Sequence, residues 1–380
     1  MPSAKSFAIA ILCAGASLLL SCGRPDPGGP NRTPAKQGAD EKILNVYNWA
    51  DYIAPDTLST FEKETGIKVN ISYYESNDTL ETRMLTGHSG FDITFPSDIF
   101  FQREISSGAY LALDKTKVPN LAHLDPTLMA RAALNDPENA HGIIYMWGTV
   151  GIGYNEKMVT AALPGVTVNS WRLLFDPKSA QKLAHCGINY INEAVAVIRI
   201  ALKYLGKDPN APSPQDFDDV EKLLLAVRPY IRTFDTAGDI EALVSGEICV
   251  SLGYGGDVLF ANKRAREAKI PIQIAYVIPD EGSLLWFTFA AIPQDAPHAA
   301  NAHLFLNYLA NPQVIANISN FIGYANANSD SMPLLDTSVA LNPIVYPTQA
   351  EQKRLFVETE YTPDQSRAMT RLWQRFKTGQ

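Results

Sequence analysis

Several short segments of the 380-residue chain share one logic, a strand-like run that ends in aromatic and polar side chains. Trp49, Ala50, Asp51 and Tyr52 follow "ILNVYNW", Ser97 and Asp98 follow "FDITFP", Tyr254 and Asp257 stand in the turn "GYGGD", and Trp286 lies in "LLWFTF". Tyr324 adds a further ring. Aromatic faces carry negative charge density and attract ammonium groups by ~0.5–2 kcal/mol per contact, and a carboxylate among them fixes the charged end. Trp49, Tyr52, Tyr254, Trp286 and Tyr324 with Asp51 and Asp257 therefore read as a box for a small organic cation. The alternative for each ring is a place in an interlobe core. For Asp51 and Asp257 it is a cap on the following helix, and both roles can coexist at one residue.

Other chemistries find little support. "GYGGD" lacks the GK[ST] ending of a phosphate loop and the full dinucleotide fingerprint. The six histidines form no HExxH, and no G-x-S-x-G elbow occurs. Neither Cys186 nor Cys249 has a neighbouring His or second Cys at metal spacing. An enzyme, a metal site and a cofactor are not expected.

The elements that must position these residues alternate. "ILNVYNW", "KVNISYY" and "FDITFPS" read as strands and "APDTLSTFEKETG" and "SNDTLETRMLTG" as helices, a βαβ pattern that predicts an α/β sheet. The first helix should start near Pro55 and stop at Gly66. The second should bury Leu80, Met84 and Leu85 and end at Gly87. Turns at the carboxyl ends of such strands are where α/β proteins build clefts. "GIIYMWGTVGIGYNEKMV", Gly142 to Val159, reads as strands crossing from one lobe to another, with a hinge expected there. A helix is predicted from about Glu193 to Leu205 and a strand over Ile248 to Leu252.

Length fits two lobes, since single cores rarely exceed ~250–300 residues. The lobes are expected at 43–150 and 151–280, with 281–380 returning to the first lobe and packing across both. The formal charge of −8, from 40 acids against 32 Lys and Arg, argues against nucleic-acid binding and suits a cationic ligand. Residues 1–22 read as an export signal, and "LLSC" ending at Cys22 is similar to a lipobox, so Cys22 is the expected lipidation site, with an ordinary cleaved signal as the alternative. Residues 23–42, rich in Pro, Gly and charge, form the expected tether. No later segment is apolar enough to span a membrane. In an oxidising compartment the isolated pair Cys186 and Cys249 is expected to be a disulfide, free buried thiols being the alternative.

"NVYNWADYIAPDTLSTFEKETGIKV", "GFDITFPSDIF", "YMWGTVGIGYN", "YLGKDPN", "GEICVSLGYGGDV" and "GYANAN" closely resemble the periplasmic polyamine-binding proteins of bacterial ABC importers, the putrescine and spermidine receptors. The resemblance runs from about Ile43 to the C-terminus. It implies the two-lobed type II periplasmic binding fold, closure of the lobes around one ligand, the Cys186–Cys249 disulfide and a periplasmic location. It implies partners as well: a small amine, most simply a polyamine, and the permease subunits of an ABC transporter, met by a monomer attached to the membrane only through a lipid. Trp49, Asp51 and Tyr52 match the family's first turn, with Ala50 in place of its serine, and Ser97 matches the serine that follows the proline of the family's second strand. Tyr254 to Asp257 stand where the family has Trp-Ala-Gly-Asp, Trp286 matches the stacking aromatic of its later strand, and Tyr324 matches the tyrosine of its "YANAN" motif.

Two family acids are replaced, one by Thr288 and one by Ala196. Each ammonium of a diamine needs acceptors in a dry cleft, because an unpaired buried charge is costly. New acids stand nearby: Asp98, and Glu193 one helical turn before Ala196. Each either reaches the cleft or does something plainer, Asp98 facing solvent and Glu193 serving a helix N-terminus. A polyamine receptor is thus the leading expectation, a receptor retuned to a monoamine or zwitterionic amine its rival, and a tethered sensor of the same fold a further class.

Overall fold

The computed structural model describes residues 41–380. The expectations for the export signal, Cys22 and nearly all of the tether fall outside them. Ten strands occur among the described residues: β1 (Ile43–Trp49), β2 (Lys68–Tyr74), β3 (Ile93–Thr94), β4 (Gly142–Asn155), β5 (Ile188–Tyr190), β6 (Thr233–Phe234), β7 (Val250–Tyr254), β8 (Ile274–Val277), β9 (Leu284–Ala291) and β10 (Phe356–Val357).

They divide into two sheets that share β4. In the first, β1 pairs in parallel with β2 and β3, β9 runs antiparallel to β3 and β4, and β10 joins the start of β9 in parallel. In the second, β4 pairs antiparallel with β7 and β8, while β5 lies in parallel between β6 and β7. The expected crossing segment is thus one 14-residue strand, Gly142–Thr149 in the first sheet and Val150–Tyr154 against β7 in the second. Only its Tyr154 is not fully buried, as expected of a strand covered on both faces. Separate apolar cores form around the two sheets, one including Val46, Phe95, Tyr145 and Phe305, the other Trp171, Tyr190, Val197 and Leu252. The C-terminal helix Pro363–Thr378 packs on the helices Ala194–Tyr204 and Pro214–Val227 of the second lobe.

Local chemistry explains the element ends. Pro55 opens the helix Pro55–Thr65, and Gly66 closes it with φ 71°. Ser76 caps the helix Asn77–Thr86 by accepting from the Thr79 amide. That helix buries Leu80 and Met84, but Leu85 is 52% exposed, against expectation. Leu80 and Met84 are four apart and share a face, while Leu85 falls about 100° further round. Cys186 and Cys249 form a disulfide with Cα atoms 5.4 Å apart, tying the turn before β5 to the residue before β7. No helix among the described residues is long and apolar enough to cross a membrane.

Candidate functional site

Five parallel strands deliver polar side chains from their carboxyl ends. β1 ends at Trp49 and leads to Tyr52, β3 leads to Ser97 and Asp98, and β5 leads to Glu193. β6 leads to Asp239 at the start of the helix Asp239–Ser245, and β7 ends at Tyr254, with Asp257 in the first turn of the helix Gly255–Glu267. The antiparallel β9 adds Trp286 and Thr288, and Tyr324 follows the helix Pro312–Ile322.

Rings from both lobes meet in one line. Tyr52 stands edge-on to Tyr145 at 5.5 Å and to Tyr324 at 5.8 Å. Trp286 is edge-on to Tyr324 at 5.4 Å and to Tyr254 at 6.2 Å. Two glycines make room for these rings. A Cβ at Gly148 would lie 2.5 Å from Trp286 Cζ2, and one at Gly256 would overlap the Tyr324 ring. Trp49 is outside the line: it packs on Tyr74 at 4.6 Å and donates its indole N–H to the Phe95 carbonyl at 3.0 Å.

Hydroxyls and carboxylates surround the rings. The Tyr52 hydroxyl donates to Thr288 Oγ1 at 3.4 Å, and the Ser97 hydroxyl lies 3.4 Å from the same oxygen. The Tyr254 hydroxyl donates to Glu193 Oε2 at 2.6 Å. The Phe287 amide donates to Asp98 Oδ1 at 2.8 Å. Asp239 Oδ2 accepts from Ser251 at 3.0 Å. Asp257 Oδ2 and the Trp286 indole N–H are buried with no hydrogen-bond partner among the described residues. Such groups are costly unless a ligand meets them.

The electrostatics follow from this burial. Desolvation, then the charges of Asp239 and Glu193, pushes the Asp257 carboxyl well above the usual range, although the Tyr254 amide pulls it back. Asp98 is raised well above the usual range by burial and by Glu358 and Glu193, against the Phe287 hydrogen bond. Glu193 is raised by burial in spite of its Tyr254 bond, and burial lifts Asp239 to about 6. Carboxylates gathered in this way are stabilised as anions by an incoming cation. No group of three His, Cys, Asp or Glu among the described residues is placed to hold a metal ion.

The structure thus brings together Tyr52, Ser97, Asp98, Tyr254, Asp257, Trp286, Thr288 and Tyr324, and adds Glu193. The solvent-facing alternative for Asp98 is overturned, since it is 5% exposed. Asp51 is placed differently: it is exposed, in left-handed backbone at φ 55°, and forms no side-chain hydrogen bond with a described residue. It does not cap the helix Pro55–Thr65, whose N-cap is Ala54. Asp257 lies in the first turn of the helix Gly255–Glu267 without a capping side-chain hydrogen bond to it, and its Oδ2 stays unpaired. Ala196 is buried in the second lobe's apolar core. Sequence reasoning missed Asp239 and Glu358; Asp239 sits at a helix start just after a strand, the signal used for the other turns, and Glu358 carries none.

Residues 57–344 match the family described as bacterial extracellular solute-binding protein. The chain belongs to this family. Among solute-binding proteins it is 42% identical over 344 residues to the putrescine-binding periplasmic protein SpuD of Pseudomonas aeruginosa, covering 90% of this chain and 94% of that one. It is also 42% identical to the putrescine-binding periplasmic protein PotF of Escherichia coli, over 90% of this chain and 93% of that one. Its fold matches the crystal structure of the spermidine/putrescine ABC transporter substrate-binding protein PotD of Streptococcus pneumoniae with a TM-score of 0.78 at 25% identity, over 89% of this chain and 99% of that one. The family is one of solute-binding transport proteins, not enzymes, and the type II two-lobed fold expected from the resemblance is present.

Proposed function

We propose that this protein is the extracytoplasmic receptor of an ABC importer for a polyamine of the putrescine or spermidine kind. It takes the amine between its lobes and passes it to the membrane permease. The observation that carries this reading is the buried, unpaired Asp257 oxygen, whose charge acts on Tyr254 and Tyr324, the two rings that stand edge-on to Trp286. A carboxylate there meets an ammonium, and the rings line the methylene chain. The names of its relatives support the same ligand class. The lobes at 43–150 and 151–280 close about β4 and its neighbouring crossings, with 281–380 spanning both. The receptor acts as a monomer held to the membrane by a lipid on Cys22.

A second reading rests on Thr288. At this position a hydroxyl, shared with Tyr52 and Ser97, stands where the resemblance places an acid. That substitution favours a ligand with fewer positive charges or its own carboxylate. Calorimetry on protein stripped of carried-over ligand separates the two, with putrescine, spermidine, cadaverine, agmatine and 4-aminobutyrate as titrants. Micromolar or tighter binding of a polyamine, lost in Asp257→Ala, is expected. Heat only with the zwitterion would establish the second reading, and silence toward all five would refute both.

A further inference from the structure

β9 is interrupted at its outer edge just where it passes the site. β10 pairs with its beginning, Phe356 with Leu284 and Val357 with Leu285, while β3 meets its end at Ala291. Between them lie Trp286 to Ala290; the Phe289 amide donates to the Pro96 carbonyl at 2.9 Å, so the break falls at Trp286 and Phe287. Ser97 bridges to Thr288, and the Phe287 amide is met by a side chain, Asp98 Oδ1. Carrying the parallel register on by one residue sets Glu358 beside Trp286. The break therefore gathers two carboxylates from parts of the chain some 260 residues apart.

Neither acid is neutralised by its surroundings. Asp98 is 5% and Glu358 8% exposed. The Glu358 carboxylate accepts no hydrogen bond from a described residue, and Asp98 accepts only the one at Oδ1. Arg199 acts on Glu358 most strongly among the cations, yet forms no ion pair with it. Its guanidinium donates to the carbonyls of Pro209 and Thr359 and to Asn210, and lies 3.8 Å over the Tyr361 ring. Arg199 thus fixes the segment that carries Glu358. Arg103, the next cation, is committed to Glu81 through two hydrogen bonds. Asp98 also holds left-handed backbone, φ 37°, which a non-glycine residue adopts at a cost. Like charges buried together repel unless a proton or a cation lies between them.

We propose that Asp98 and Glu358 form a second ammonium pocket at the break in β9, taking the other amine of a ligand whose first amine is held by Asp257. The pocket supplies from the C-terminal segment the charge that Thr288 and Ala196 do not. It selects diamines and longer polyamines over monoamines. This rests on the polyamine reading above.

The test titrates putrescine and 1-aminobutane into the wild-type protein, Glu358→Gln and Asp98→Asn. Removing one charge-assisted partner is expected to weaken putrescine about 10- to 100-fold in each variant while 1-aminobutane changes by less than about 3-fold. Each unliganded variant should melt at or above the wild-type temperature, because a buried like charge has been removed. Equal weakening of both ligands, an unchanged putrescine affinity, or lower melting of both variants overturns the pocket and leaves the receptor reading standing. A wild-type protein that binds neither amine removes the receptor reading, and the pocket with it.

Discussion

Gly148→Ala tests the seat of Trp286. The new Cβ would lie 2.5 Å from Cζ2, 2.8 Å from Cε2 and 3.2 Å from Nε1 of the indole. Ordinary contacts are about 3.5–4 Å, so the ring must lift by about 1 Å. Overpacking of this kind costs about 1–3 kcal/mol. At an unfolding entropy of ~2.1 cal/mol/K per residue, a protein of this size should lose roughly 1–4 °C in Tm. A displaced stacking ring forfeits a contact of ~0.5–2 kcal/mol, or about 2- to 30-fold in putrescine affinity. Gly142→Ala is the control on the same strand: its Cβ would lie 2.9 Å from Phe101 Cζ, away from the ring line. It should cost comparable stability and leave affinity unchanged. Thermal melting and calorimetry on both variants decide the matter. Equal affinity in the two would refute the claim that Trp286 stacks on the ligand and that Gly148 exists to admit it.

Three further outcomes are expected. Asp257→Asn should raise the melting temperature of the unliganded protein, since an unpaired buried carboxylate is removed, and should weaken putrescine by about tenfold or more, read by melting and calorimetry. Burial lifts Glu358 to about 7, Arg199 opposing, so the folded protein holds a proton that the unfolded chain releases at lower pH. This contribution to unliganded stability is complete below the ordinary glutamate range and is lost as pH rises through about 7. A bound cation lowers that value, so putrescine should displace a fraction of a proton near pH 7, measured as a dependence of binding heat on buffer ionisation enthalpy. Reducing the Cys186–Cys249 bond frees a loop of 63-residue separation and should cost about 4 kcal/mol in the chain-entropy account, checked by denaturant unfolding with and without reductant.

Much of the site was legible because α/β chemistry concentrates at strand ends. Tyr52, Ser97, Tyr254 and Asp257 each follow an apolar run, and the fold turns those sequence positions into neighbours. The crossing strand was legible too, as an apolar, glycine-dotted stretch between the patterns of the two lobes. What sequence alone does not carry is side-chain direction in irregular backbone. The left-handed turn sends Asp51 to solvent, whereas left-handed backbone at Asp98, one residue past Ser97, accompanies burial. Trp49 reads from sequence as a site ring at the end of the first strand, but its indole N–H finds the Phe95 carbonyl within the first lobe. Glu358 was invisible for another reason. It follows a strand of two residues, too few for any periodicity, and only that strand's register, set across 72 positions of sequence and carried on by one residue, brings it toward Trp286.

The most direct measurement is a crystal structure of the protein grown with putrescine. The account predicts one diamine lying between the rings of Tyr52, Tyr254, Trp286 and Tyr324, with one nitrogen against Asp257 and the other against Asp98 and Glu358. A diamine bound elsewhere, or lying in this cleft with neither nitrogen against a carboxylate, would contradict it.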